Sequence, residues 1–283
     1  MRLRRAFADL SHGQVHYAQC GDLDGPAVLL LHQSPRSWLE YRAVLPLVGL
    51  HYRAVAMDTA GFGDSDAPSE PASIEGWAAV AVELLDALGI AQAHVVGHHT
   101  GGVIAVELAT AFAGRVASLV LSSTPFTDVK FRRARADTAP IDEVEQRADG
   151  SHLTALWGKR QGFYPAGRVD LMEAFVLDAL KTGRRVEEGH RAVAAYRMED
   201  RIADIRQPTL ILKATEDPFA APHAQELCAR IAHAKVVEIA GGMVPLPDQM
   251  PVAFADAVLE FLDGLSQAQP AGHAVRSSAE GRP

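Results

Sequence analysis

Gly97-His98-His99-Thr100-Gly101-Gly102 is the stretch whose reading decides the fold. The apolar run Ala93-His94-Val95-Val96 before it predicts a short strand, and Gly102 to Ala113 after it predicts a helix. A chain that passes from strand to helix with almost no loop must turn sharply. Such a turn needs small residues two positions either side of its apex, and Gly97 and Gly101 supply them. The apex is then His99. Thr100 does not fit there, because bulky His98 would then stand where a small residue is required.

Working outward, Ala27 to Leu31 is a continuous apolar run of the kind buried on both faces of a parallel sheet. Arg53 to Met57 predicts a second such strand, followed by Asp58 and the turn-rich Gly61-Phe62-Gly63-Asp64-Ser65. Ile74, Trp77, Ala78, Ala81, Leu84, Leu85 and Leu88 recur at helical spacing. Further strands are predicted at Val116 to Leu121, Thr209 to Lys213 and Lys235 to Ile239. A final helix carries Phe254, Val258, Phe261 and Leu262 and is expected to stop at Gly264. Val15 to Ala18 alternates, as antiparallel edge strands do. Strands alternating with helices predict an α/β fold with a doubly wound, mostly parallel sheet.

The rhythm breaks over residues 124–203. This charged stretch carries Trp157, Phe163, Tyr164, Phe175 and Tyr196 without strand-like alternation, and predicts a helical cap. It would sit over the carboxyl ends of the strands, where open α/β sheets bind ligands. The expected division is a core of 1–123 and 204–265, a cap of 124–203, and a disordered tail over 266–283, where Gln, Ala, Pro, Gly and Ser dominate.

The chain has 283 residues, 48% of them hydrophobic, enough for one sizeable core plus an insertion. Its net charge of −8 and scattered basic residues argue against nucleic acid as a partner. The densest basic cluster, Lys130 to Arg135, predicts a solvated helix face. Cys20 and Cys228 sit in no disulfide, metal or redox spacing. No secretory h-region follows the basic start, and no apolar run reaches membrane-spanning length, so a cytoplasmic protein without a membrane partner is expected. A monomer and a homodimer are both compatible with these numbers.

In motif order the chain resembles the α/β-hydrolase family over roughly residues 5 to 265. His32-Gln33-Ser34-Pro35 resembles the family's H-G-x-P oxyanion loop, and Asp58 to Ser65 its D-x-x-G-x-G-x-S turn. The segment around His99 resembles the G-x-S-x-G nucleophile elbow. Thr209-Leu210-Ile211-Leu212 with Glu216-Asp217 resembles the penultimate strand and its triad acid, Asp217. Gly241-Gly242-Met243-Val244-Pro245 falls where the family has its triad histidine. The resemblance therefore implies that His99 replaces the serine and Met243 the histidine, with Val244 the other candidate for that position. Gln33 replaces the glycine of the oxyanion loop. Serine hydrolysis needs a hydroxyl and a base, and neither is present at the matching positions.

His99 on the elbow reaches further than serine and could meet Asp217 as a His–Asp pair, serving as nucleophile or as base toward water. Against this stands a decayed elbow whose histidine only fills the pocket floor. A drifting site would more readily hold alanine or glycine. The backbone N–H groups of Ser34 and Thr100 are the candidate oxyanion donors. His32 and His98 match positions that the resemblance assigns to bracing and packing. Met243 and Trp157 are candidate substrate contacts. His32, His98, His99 and Asp217 make a poor metal set, since His98 and His99 point apart from a sharp turn. His12, His51, His152, His190, His223, His233 and His273 have no motif context and default to surface or core roles. No dinucleotide fingerprint is present, so no cofactor is expected. The reading is an atypical hydrolase of a small apolar ester or lactone, a small carbonyl compound being the partner. Its rivals are a cofactor-independent lyase or cyclase on the same scaffold and an inactive ligand-binding homologue.

Overall fold

The computed structural model describes residues 2–136 and 138–268. Strands β1 (Arg4–Leu10) and β2 (Gly13–Cys20) open the chain, followed by β3 (Ala27–Leu31), α1 (Val44–Val48), β4 (Arg53–Met57) and α2 (Ile74–Ala87). β5 (Ala93–His98), α3 (Thr100–Ala111) and β6 (Val116–Ser122) follow. Four helices then intervene before the sheet resumes: α4 (Val129–Ala136), α5 (Ser151–Gln161), α6 (Val169–Thr182) and α7 (Glu188–Ala195). The chain continues through β7 (Thr209–Ala214), α8 (Ala224–Arg230), β8 (Lys235–Ile239), α9 (Leu246–Gln249) and α10 (Pro251–Ala268).

The strands form one eight-stranded sheet in the order β1-β2-β4-β3-β5-β6-β7-β8. β2 pairs antiparallel with β1 and β4; every other pairing is parallel. The edge strands at the amino end are thus antiparallel, as the alternation at Val15 to Ala18 predicts.

Alternation along the central strands sends successive side chains to opposite faces. In β3, Ala27, Leu29 and Leu31 join the apolar layer beneath α2, α3 and α8. Val28 and Leu30 join the layer beneath α1 and α10. Two helical layers on one sheet make the fold doubly wound, and β5 lies near its middle with its carboxyl end under the inserted helices.

Two boundary expectations fail. Gly264 does not end the last helix, which runs on to Ala268. A glycine inside a helix costs only about 1 kcal/mol, and the buried stripe of Phe254, Val258 and Leu262 outweighs it. Residues 266–268, expected in the tail, are therefore helical, and 269–283 lie outside the described residues.

Candidate active site

His99 is the single residue between β5 and α3, with φ 46° and ψ −111°. A side chain in that region is strained by about 1–3 kcal/mol and persists only where its surroundings enforce it. Here glycines enforce it. A Cβ on Gly97 would stand 2.2 Å from the Gly101 carbonyl oxygen, and one on Gly101 would stand 2.0 Å from that of Leu31. A Cβ on Gly102 would meet the Thr124 hydroxyl at 1.9 Å. The close crossing of strand, helix and neighbouring loops leaves no room for alanine at these three positions.

The turn aims the His99 ring at Asp217, which follows β7. His99 Nε2 lies 2.7 Å from Asp217 Oδ2, within ion-pair range though out of line for a well-formed hydrogen bond. The other carboxylate oxygen accepts the Phe219 and Ala220 N–H groups at 2.9 and 3.2 Å. Burial pushes the Asp217 carboxyl up, but the His99 ring and the Phe219 N–H outweigh it and hold the pKa at about 2. Asp217 is thus a fixed negative charge at the back of the elbow. With Nε2 turned to it, Nδ1 is the ring nitrogen left to the cavity that His99 lines.

The supporting histidines have defined partners. His98 packs edge-on against His99, with ring centroids 4.7 Å apart. Its Nε2 lies 2.9 Å from the Val244 carbonyl and its Nδ1 2.9 Å from the Ser122 hydroxyl. The carbonyl only accepts, so Nε2 carries the proton and Ser122 donates to Nδ1. Burial drives the His98 pKa down to about 3, keeping the ring neutral. His32 accepts the Thr59 N–H at Nε2 (2.9 Å) and donates through Nδ1 to the Gln33 carbonyl (2.8 Å). It ties the loop after β3 to the turn after β4.

That loop holds Gln33 and Ser34. Gln33 is absent from the residues with positive φ, so the loop does not demand a glycine there. Its side chain instead donates to Glu40 at 2.5 Å and its N–H to the same carboxylate at 3.0 Å. Burial raises the Glu40 pKa to about 7 despite Arg36 beside it. Ser34 N–H, expected to face an oxyanion, donates to Thr100 Oγ1 at 3.3 Å. The Thr100 hydroxyl thus occupies the acceptor place opposite Ser34, while the Thr100 N–H sits in the first turn of α3.

These residues floor a cavity of about 130 Å³, small beside the roughly 300–1,000 Å³ of drug-sized ligand sites. Phe131, Ile141, Val193, Phe219 and Val244 give it apolar walls, and the inserted helices add the guanidinium groups of Arg135 and Arg160 and the imidazole of His190. A larger hollow of about 340 Å³, lined by Glu143, His152 and Arg184 among others, holds neither His99 nor Asp217.

Three expectations change here. Val244 lines the cavity, not Met243, whose N–H is engaged by the Gln249 side chain at 2.7 Å. Trp157 borders a separate groove with Pro165 and Arg168, and packs on the apolar cluster around Phe175. The Lys130 to Arg135 cluster is not wholly a solvated face: Arg132 donates to Glu199 at 2.9 Å and Arg135 reaches the cavity. His190, expected in a surface or core role, lines the cavity, and Asp142 and Arg160 beside it are marked by nothing in the sequence. They come from separate parts of the insertion, and no local spacing marks them.

The family model for the alpha/beta hydrolase fold matches residues 26–243, and the chain belongs to that family. Over 128 residues it is 37% identical to bifunctional epoxide hydrolase 2 of Sus scrofa, covering 41% of this chain and 23% of that protein. Over 115 residues it is 43% identical to epoxide hydrolase 2 of Siraitia grosvenorii, covering 40% of this chain and 36% of that one. The chain therefore spans about a third or less of these curated relatives. The crystal structure of the enol-lactonase from Burkholderia xenovorans LB400 superposes with a TM-score of 0.73 at 25% identity, covering 91% of this chain and 100% of that one. None of the described helices is long and apolar enough to cross a membrane.

Proposed function

We propose that the protein hydrolyses a small, rather apolar ester or lactone with His99 as the base that activates water. On this reading His99 stands in the place of the family's elbow serine and Met243 or Val244 in that of its histidine, Val244 being the one that faces the cavity, and the inserted helices cap the site. The observation that carries it is the 2.7 Å approach of His99 Nε2 to a fully buried, ionised Asp217 on a turn strained enough to need three glycines. A ring that merely filled the floor would not require that carboxylate. Similarity to a lactonase and to epoxide hydrolases adds weight to hydrolysis of a small substrate.

In this mechanism Asp217 holds the Nε2 proton, so that Nδ1 faces the substrate with its lone pair. Nδ1 takes a proton from water as the hydroxide oxygen bonds to the carbonyl carbon. The developing oxyanion is met by the Thr100 N–H at the positive end of α3 and by Ser34 N–H once the Thr100 hydroxyl gives way. The tetrahedral intermediate then expels the alkoxide, which takes up one proton to leave as the alcohol, while His99 gives its proton back to solvent and the carboxylic acid ionises.

The expected result is turnover of a small lactone or aryl ester by a protein that fluorophosphonate does not label, since that reagent needs an activated serine. Intact mass after incubation checks it. Stoichiometric labelling at a cavity serine such as Ser34, with loss of turnover, would overturn the histidine reading.

A further inference from the structure

A second histidine–carboxylate pair borders the cavity: its histidine, on α7, lines it, and its aspartate lies behind in the segment between α4 and α5. His190 on α7 places Nε2 2.6 Å from Asp142 Oδ2. The two pairs share their contact atoms, though only the His190 pair is in line for a hydrogen bond. Each joins Nε2 to Oδ2, each aspartate side chain is 0% exposed, and the rings are 14% exposed at His99 and 16% at His190. Both rings line the same 130 Å³ cavity.

The surroundings of Asp142 are built for it. Glu187 accepts the N–H groups of Ile141 and Asp142, both at 2.9 Å, which fixes the backbone. Arg160 grips the carboxylate with Nε on Oδ1 at 2.8 Å and Nη2 on Oδ2 at 2.5 Å, and its guanidinium lies over the Phe175 ring at 5.2 Å. This bidentate pair is already complete, so Asp142 does not need His190 for its own neutralisation. The ring is turned into the cavity as well as toward Asp142. α7 is also seated directly on the oxyanion loop: a Cβ on Gly189 would stand 2.3 Å from that of Ser34. The residue after that contact is His190.

From this arrangement we infer that His190 is a catalytic residue, the proton donor to the leaving alkoxide on the face of the substrate opposite His99. The inference rests on the hydrolytic reading above. With Asp142 engaging Nε2, Nδ1 is the ring atom that hands a proton to the departing oxygen in the doubly protonated form. As the carbonyl carbon–oxygen bond of the ester or lactone breaks, the departing oxygen takes the bonding pair and then that proton, leaving an alcohol. His99 has gained one proton from water and His190 has lost one. Solvent exchange returns both to their starting states, and the product acid releases the net proton.

The test uses the leaving group. A 4-nitrophenolate departs without help, whereas an alkoxide needs a proton. His190→Gln keeps a side-chain nitrogen able to donate to Asp142. It is expected to lower kcat on δ-valerolactone by about 100-fold or more and on 4-nitrophenyl acetate by less than about threefold. Retained aryl-ester turnover shows in the same sample that the site is folded. His190→Asn is expected to give the same split. Equal losses on both substrates, or no loss on the lactone, would overturn the role of His190 while leaving His99 in place. If the wild-type protein hydrolyses neither substrate, the hydrolytic reading fails, and the role of His190 fails with it.

Discussion

Replacing Arg36 with methionine is expected to cost about 3–5 kcal/mol of stability, the range for removing one partner of a buried ion pair. Arg36 lies buried where the core meets the insertion. Its Nε donates to Asp178 on α6 at 2.9 Å and its Nη2 to Asp248 on α9 at 2.7 Å. Nη1 is 4.0 Å from Glu40 and has no hydrogen-bond partner among the described residues. One guanidinium therefore faces three carboxyls, from the loop after β3, the insertion and the segment before the last helix. Methionine fills similar volume but leaves those carboxyls facing one another in a desolvated site. At roughly 2–4 °C per kcal/mol for a chain of this size, the midpoint of thermal unfolding should fall by roughly 10 °C. The loss should be smaller at pH 5 than at pH 8. Burial already pushes the Glu40 and Asp248 carboxyls up, and without Arg36 both take protons more readily and shed their repulsion. Thermal unfolding at the two pH values checks this. A loss below about 1 kcal/mol at pH 8 would show that the cation is not what holds the insertion to the core.

Asp217→Asn is expected to reduce hydrolysis by about 10²–10⁴-fold, the range for removing the carboxylate that orients a catalytic imidazole. The amide keeps the shape of the site and can still accept the Phe219 N–H. What it removes is the charge that fixes the Nε2 proton, so the ring can present N–H instead of a lone pair to the cavity. The same substitution alters the acid limb of stability. Asp217 titrates at about 2 in the folded protein against an ordinary 3.8. A depressed carboxylate contributes stability that is present above the unfolded value and lost as pH falls through the folded one. That contribution is on the order of 2 kcal/mol. Between pH 4 and pH 2 the variant should therefore lose less stability than the wild type. Unchanged turnover, or an acid limb identical to the wild type, would mean that the carboxylate does not act on His99.

Much of this was legible in the sequence because parallel strands and sharp turns write themselves locally. Ala27–Leu31, Arg53–Met57 and Lys235–Ile239 are bounded by the same residues in the sequence reading and in the structure. The elbow was readable because only glycine survives at Gly97 and Gly101, and Asp217 because it ends a strand in the expected order. The inserted helices were far less legible. Their apolar residues pack on one another and on the loop at Val244, so Trp157 turns toward that cluster and not toward His99. His190 and Asp142 lie 48 residues apart and meet only through the fold. The Met243 position illustrates a third limit. Near a tight turn one residue of slip decides which side chain faces the cavity, and here it is Val244.

The most direct test is the turnover of δ-valerolactone and 4-nitrophenyl acetate by wild type and His99→Ala, measured side by side with unfolding curves. His99→Ala keeps the strained φ of 46° but takes the ring away from the buried Asp217 carboxylate, so the midpoint should fall while the protein stays folded at the assay temperature. If His99 is the base that activates water, both substrates should lose at least about 100-fold in kcat while the protein remains folded. Undiminished turnover of either substrate by His99→Ala would contradict the account, because the apex ring would then take no part in the chemistry.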